Sequence, residues 1–192
     1  MIEAIRFKGN RVEIDQAGET RVLHELIYFQ LSPEIGDEID LSRAVFDSQV
    51  EFAFEQATAY LLSRLKSAQQ VKDYLVKKGY EPEVAENACN RLIEHGLIDD
   101  QEYARMYIES FHGERGQRYL KQKLWERGIR DVDLPEEDPE VVWAILEKRW
   151  GNQGKMELKQ RQKAQNFLLS RGFSYDTIKK AFQLYENESI VG

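Results

Sequence analysis

Cysteine is nearly absent: Cys89 stands alone in 192 residues, so no internal disulfide can form. It sits near Leu92 and Ile93 in a helical pattern, which suits a small buried side chain better than a reactive thiol. No apolar run approaches the ~18 residues of a membrane span, and the start, Met1 to Arg6, has no signal-like apolar stretch. A cytoplasmic chain with no membrane partner is therefore expected. The three histidines, His24, His95 and His112, lie far apart and form no metal-spacing motif. No phosphate loop, nucleophile elbow or dinucleotide fingerprint appears. The expectation is no enzyme, no metal and no cofactor. A basic excess is missing too. Residues 1–55 hold five basic against twelve acidic side chains, and the remainder holds 22 of each, for a net charge of −7. A protein acting on duplex DNA alone would usually be basic over its binding domain, although local patches can still hold phosphate.

Hydrophobic residues make up 42% of the chain and charged residues 32%, enough for a core with heavily solvated helices. Short alternating patterns at Ile2 to Phe7 and Arg11 to Ile14, with a turn at Lys8-Gly9-Asn10, predict a small β-hairpin. Leu23 to Leu31 reads as a short helix, broken by Ser32-Pro33 and Ile35-Gly36-Asp37. From about Leu41 the pattern is helical nearly to the end.

An internal repeat is the strongest signal. Leu75-Val76-Lys77-Lys78-Gly79-Tyr80 matches Leu124-Trp125-Glu126-Arg127-Gly128-Ile129 and Leu168-Leu169-Ser170-Arg171-Gly172-Phe173, with the glycines 49 and 44 residues apart. Four residues before each leucine stands another apolar residue, Val71, Leu120 or Ala164. An apolar i, i+4 pair, a basic last turn and a glycine just beyond describe a helix C-terminus. Ser67-Ala68-Gln69-Gln70 and Asp99-Asp100-Gln101-Glu102 have capping-box form, Pro82 suits a helix start, and Ser174 can cap a last helix. Capping accounts for the paired acids at Asp99-Asp100. After Gly128 two prolines and a run of acids predict a loop or single turn, then a helix from about Pro139 to Trp150, ended by Gly151-Asn152-Gln153-Gly154. The fold class read from this is mainly α, with three tandem three-helix units behind a small N-terminal β element. The units are residues 41–98, 99–138 (third helix shortened) and 139–192, after an N-terminal α/β element at 1–40. Each is too small to bury an adequate core alone.

Residues 115–130 form a basic stretch: Arg115, Arg118, Lys121, Lys123, Arg127 and Arg130 against only Glu114 and Glu126 nearby. Arg115, Arg118 and Lys121 have helical spacing and can share a face, with Tyr119 interleaved. Such a face suits phosphates or an acidic protein surface; the plainer account is a solvated helix side. A second basic run, Lys155, Lys159, Arg161 and Lys163, opens the last unit. Tyr60, Tyr74, Tyr103, Tyr107, Trp143 and Trp150 read as core candidates by period, whereas Trp125 is off its helix's apolar stripe and can be exposed at a contact.

The ordered series resembles the RecX family. It runs through Tyr60-Leu61-Leu62-Ser63-Arg64-Leu65-Lys66-Ser67, Val71, Tyr74-Leu75, Lys78-Gly79-Tyr80 and Gly96-Leu97-Ile98-Asp99-Asp100. It continues through Tyr103-Ala104, Arg115-Gly116-Gln117-Arg118, Arg127-Gly128-Ile129, Phe167-Leu168 and Arg171-Gly172-Phe173. The resemblance implies an elongated, curved arrangement of the units. It implies a monomer that binds the RecA filament, and single-stranded DNA within it. There it would act mainly as a negative regulator of filament growth, ATPase, strand exchange and co-protease activity. The shortened middle unit departs from the family pattern. A nucleic-acid-binding protein of helix-turn-helix type acting without RecA is the competing reading, and a purely structural helical scaffold is a third.

Overall fold

The computed structural model describes residues 1–151 and 156–188. Among them are strands β1 (Ile2–Lys8), β2 (Arg11–Gln16) and β3 (Glu19–His24), then helices α1 (Glu25–Leu31), α2 (Ser42–Leu61), α3 (Ala68–Lys77) and α4 (Pro82–Glu94). Helices α5 (Asp100–Ser110), α6 (Gln117–Trp125), α7 (Pro139–Trp150), α8 (Leu158–Ser170) and α9 (Tyr175–Glu188) complete the order. The chain forms two compact units, Met1–Asp100 and Gln101–Gly192.

The alternation that predicts a hairpin builds an antiparallel three-stranded meander, β1-β2-β3. Val12 and Ile14 point inward from β2 and join Ile2, Leu23, Leu41 and Ala44 in a small core. The intervening Glu13 and Asp15 face outward and pair with Lys8 and Arg6 at 2.7 and 2.6 Å. Hydrogen bonding to Arg6 holds the Asp15 carboxyl down at about 2. The third strand corrects the expected Leu23–Leu31 helix, which begins at Glu25. The β2–β3 turn is Ala17-Gly18, with φ of 54° and 75°. Two successive positive φ values mark the hairpin turn whose twist matches the strands, but alanine there carries no sequence signal. Leu23 then pairs with Val12 and both are fully buried. His24 ends the strand and caps α1, its Nδ1 accepting from Leu26 N at 3.2 Å while Nε2 meets Glu55 of α2 at 3.1 Å.

In the rest of the first unit, α2, α3 and α4 enclose Ala53, Ala57, Val71, Leu75, Ala88, Cys89 and Leu92. Burial pushes the Cys89 thiol up to about 11, as expected for a core side chain. The Ser67–Gln70 capping box forms. Asp100 adds a longer-range cap: its carboxylate accepts from Ala68 N, the first residue of α3, at 2.8 Å.

The repeat has a common hydrogen-bond basis. The apolar residue after the glycine donates its N–H to the leucine carbonyl five residues back: Tyr80 to Leu75 (3.2 Å), Ile129 to Leu124 (3.0 Å) and Phe173 to Leu168 (3.3 Å). Leu97 to Leu92 (2.8 Å) is a fourth instance, before Ile98. This closure requires a left-handed residue, and Gly128, at φ 81°, supplies one. The paired apolar residues Val71, Leu75, Leu120, Leu124, Ala164 and Leu168 are all at most 3% exposed. Leu124→Ala should cost roughly 3 kcal/mol, read as a lower denaturation midpoint; an unchanged midpoint would contradict its burial.

In the second unit α5 and α6 have no third helix of their own. The loop after Gly128 supplies Val132 and Leu134 to the cluster of Ala104, Leu124 and Ile129. Helices α7, α8 and α9 enclose Val142, Leu146, Ala164, Leu168, Ile178, Ala181 and Phe182. Helix α7 spans the expected Pro139 to Trp150 and meets Gly151 as its C-cap; Asn152, Gln153 and Gly154 lie outside the described residues.

The acidic loop also joins the helix starts. Glu137 accepts from Gln117 N, the first residue of α6, at 2.9 Å and from Ser174 N, just before α9, at 2.8 Å. Burial pushes the Glu137 carboxyl up, but the donors at Ser174, Gln117 and Thr177 outweigh it and the net shift is downward. A depressed folded pKa means the unfolded chain binds more protons in the acid range. The contribution is present above the ordinary glutamate range and lost as pH falls through it. Glu137→Gln should lower stability by about 1–2 kcal/mol at neutral pH. It should also flatten the loss of stability between about pH 6 and 3. Parallel pH profiles of the two proteins' denaturation midpoints would contradict this double cap.

Candidate functional site

Helix α6 sets the geometry of the basic face. Leu120 and Leu124 point into the core, so Arg118, Lys121, Gln122 and Trp125 occupy the outward side. Arg118 and Lys121 are exposed, as is Arg130 beyond the helix, and none of the three belongs to an ion pair among the described residues. They share a surface depression with Gln101, Gln117, Leu134 and the carboxylates Asp131 and Asp133. On the other flank Arg118 and Lys121 line a second groove, of about 510 Å³, with Tyr119, Gln122, Trp125, Leu169, Ser170 and Gly172.

The remaining candidates are placed differently. Arg115 precedes α6 and does not share the face of Arg118 and Lys121. Its guanidinium lies over the Tyr119 ring at 4.6 Å, its Nε is buried without a partner, and it lines a small cavity of about 110 Å³ beside His112 and Glu137. Gly116 causes this, because it starts the helix only at Gln117. Lys123 pairs with Glu126 at 2.7 Å and holds that carboxyl below its usual range. Arg127 turns inward, donating to the Tyr103 hydroxyl at 2.8 Å and the Lys123 carbonyl at 2.7 Å, over the Tyr107 ring. Arg161 pairs with Glu186 and lies over Phe182. Lys159 and Lys163 are exposed on α8; Lys155 lies outside the described residues.

Arg149 stands outside both basic runs, and Arg171 is marked in the sequence only as the basic last turn of the repeat; their guanidinium carbons lie 4.3 and 4.6 Å from the Phe167 ring centre. The i+4 row Lys163, Phe167, Arg171 was the available signal for Arg171. Arg149 comes from α7, and only tertiary packing brings it there. Of the aromatics, Trp125 is 60% exposed, while Tyr60, Tyr74, Tyr103, Tyr107, Trp143 and Trp150 pack against the cores.

The second unit is held by a close backbone approach. Gly116 N donates to the Arg171 carbonyl at 3.0 Å and Arg118 N to the Gly172 carbonyl at 3.1 Å. A Cβ on Gly116 would lie 2.3 Å from the Gly172 oxygen, and one on Gly172 would lie 2.4 Å from Tyr119 N. The start of α6 is thereby laid on the α8–α9 corner, which fixes Arg118 and Tyr119 against the end of α8.

Among the described residues no three His, Cys, Asp or Glu side chains gather as metal ligands, and no helix is long and apolar enough to cross a membrane. The arrangement offers charge and an exposed ring for binding.

Comparisons with known proteins agree with the repeat. The model of the RecX first three-helix domain matches residues 53–92, and that of the RecX third three-helix domain matches residues 136–182. The regulatory protein RecX of Halalkalibacterium halodurans is 31% identical over 157 residues, covering 76% of this chain and 59% of that protein. The regulatory protein RecX of Streptococcus gordonii is 29% identical over 187 residues, covering 90% of this chain and 71% of that protein. The chain thus spans about three-fifths of the first of these relatives. Two solved structures share the fold. A crystal structure of regulatory protein RecX has a TM-score of 0.65 at 22% identity, covering 95% of this chain and 98% of that one. That of RecX from Lactobacillus salivarius has a TM-score of 0.60 at 24% identity, covering 72% and 97%. Separate matches to the first and third three-helix domains, in order along a chain whose glycine-closed helices repeat in the same order, place this protein in the RecX family.

Proposed function

We propose that this chain is a cytoplasmic, monomeric regulator of the RecA recombinase, mainly negative in effect. It binds the RecA–single-stranded DNA filament and dampens filament growth, ATPase, strand exchange and co-protease activity. In this reading three helical units, residues 41–98, 99–138 and 139–192, follow a small N-terminal element. The observation that carries the site is the outward face of α6, where Arg118 and Lys121, with Arg130 beyond them, stand exposed and unpaired among the described residues. A filament groove combines DNA phosphates with protein carboxylates, and such a face attracts both.

The test is RecA ATPase on single-stranded DNA, with this chain added below the RecA concentration. The expected result is a falling steady-state rate. An unchanged rate, with a specific duplex bound in the absence of RecA, would favour the helix-turn-helix reading instead.

A further inference from the structure

The second groove has a composition that charge attraction alone does not account for. Arg118, Gln122 and Trp125 follow at i, i+4 and i+7 along α6, with Lys121 beside them, and Leu169, Ser170 and Gly172 form the opposite wall. Among the described residues no carboxylate lines it. The next acid along α6, Glu126, is occupied by Lys123 at 2.7 Å. At one end stands the indole of Trp125, 60% exposed. The guanidinium carbon of Arg130 lies 5.8 Å from the centre of that ring.

We infer that this groove is a stacking subsite for an unpaired nucleobase of a single strand: Trp125 takes the base, and Arg118 and Lys121 take the adjoining phosphates. A flat π surface next to unpaired cations is the combination by which proteins hold single strands without reading sequence. A duplex keeps its bases inside the stack and cannot offer one to an indole without flipping it out. An acidic protein segment would satisfy the two cations but leave the indole without a matching partner. The close approach of Gly116 and Gly172 fixes the two walls relative to each other, so the subsite is built before the strand arrives. The inference deepens the proposed function and rests on that reading for its biological setting, but the contact itself needs no RecA.

The test uses the full chain and two labelled oligonucleotides of equal length, oligothymidine and its abasic counterpart, followed by fluorescence anisotropy without RecA. The wild type should bind oligothymidine roughly tenfold more tightly than the abasic strand. Trp125→Ala should abolish that difference while binding the abasic strand as the wild type does, and Trp125→Phe should restore part of it. Because the side chain is exposed, an unchanged helical circular dichroism spectrum is expected for both variants. Equal wild-type binding of the two strands, no binding of either, or a difference that survives Trp125→Ala would each overturn the inference. If Trp125→Ala left oligothymidine binding intact but weakened RecA inhibition, the groove would hold protein, which overturns the inference and leaves the proposed function standing. If instead the chain bound oligothymidine through Trp125 and had no effect on RecA ATPase, the proposed function would fail and the subsite would stand.

Discussion

Gly172→Val should disrupt the second compact unit, with a loss of roughly 3–6 kcal/mol, a large share of the 5–15 kcal/mol total typical of a domain. Two effects combine. Gly172 has φ +88°, where an L side chain is strained and a β-branched one more so. Its Cβ would also lie 2.4 Å from Tyr119 N and 2.5 Å from Tyr119 Cβ. Those atoms belong to a helix start pinned by the Gly116–Arg171 and Arg118–Gly172 hydrogen bonds, so relief requires α6 to lift from the α8–α9 corner. Gly79→Ala is the matching control. Gly79 occupies the same place in the repeat at φ +97°, but nothing lies within 4 Å of its Cβ position. It should cost only the left-handed penalty, about 1–2 kcal/mol. Chemical denaturation of both variants measures the difference, and equal midpoints would show that the backbone approach does not constrain the fold.

Reversing Arg118, Lys121 and Arg130 together to glutamate should remove the proposed inhibition of RecA without loss of helix. Losing one exposed charge changes little, since exposed pairs contribute at most about 1 kcal/mol. Three reversals turn attraction into repulsion across one patch. At about 1 kcal/mol each they would demand roughly a hundredfold more protein for half-inhibition. Inhibition by the wild type should also weaken as salt rises, through screening and counterion release. Arg115 is not a member of this set, because its guanidinium packs on Tyr119 with Nε buried and reversal there would disturb folding. Lys123→Ala and Arg161→Ala are informative controls, since those cations serve Glu126 and Glu186 within the chain and should leave the inhibitory dose nearly unchanged. A folded triple variant that still suppressed RecA ATPase at the wild-type dose would reduce this face to a solvated surface. The exposed Lys159 and Lys163 would then be the next place to look.

The sequence by itself determined the helical class, the helix ends and the repeat. Each follows from interactions within one turn or two of chain: an apolar pair at i, i+4, a serine cap at Ser67 or Ser174, a glycine that lets Ile129 close back on Leu124. Net charge and the basic stretch at residues 115–130 were legible as well, since composition needs no partner to be counted. Tertiary structure decided the rest. The third strand depends on an Ala17-Gly18 turn that only pairing with β2 stabilises. Val132 and Leu134 stand in for a missing helix because the α5–α6 cluster was left open on that side. Glu137 can cap two helices because their starts meet in space, 20 and 37 residues away along the chain. The basic stretch divides by the same logic. Arg127 and Arg161 are taken up by Tyr103 and Glu186, distant neighbours that no spacing rule identifies, and Arg115 and Lys123 by Tyr119 and Glu126 at i+4 and i+3, leaving Arg118, Lys121 and Arg130 exposed beside Trp125. A cation's availability depends on which carboxylate, carbonyl or ring the fold brings within about 4–6 Å of it, and that proximity is a property of the packed chain alone.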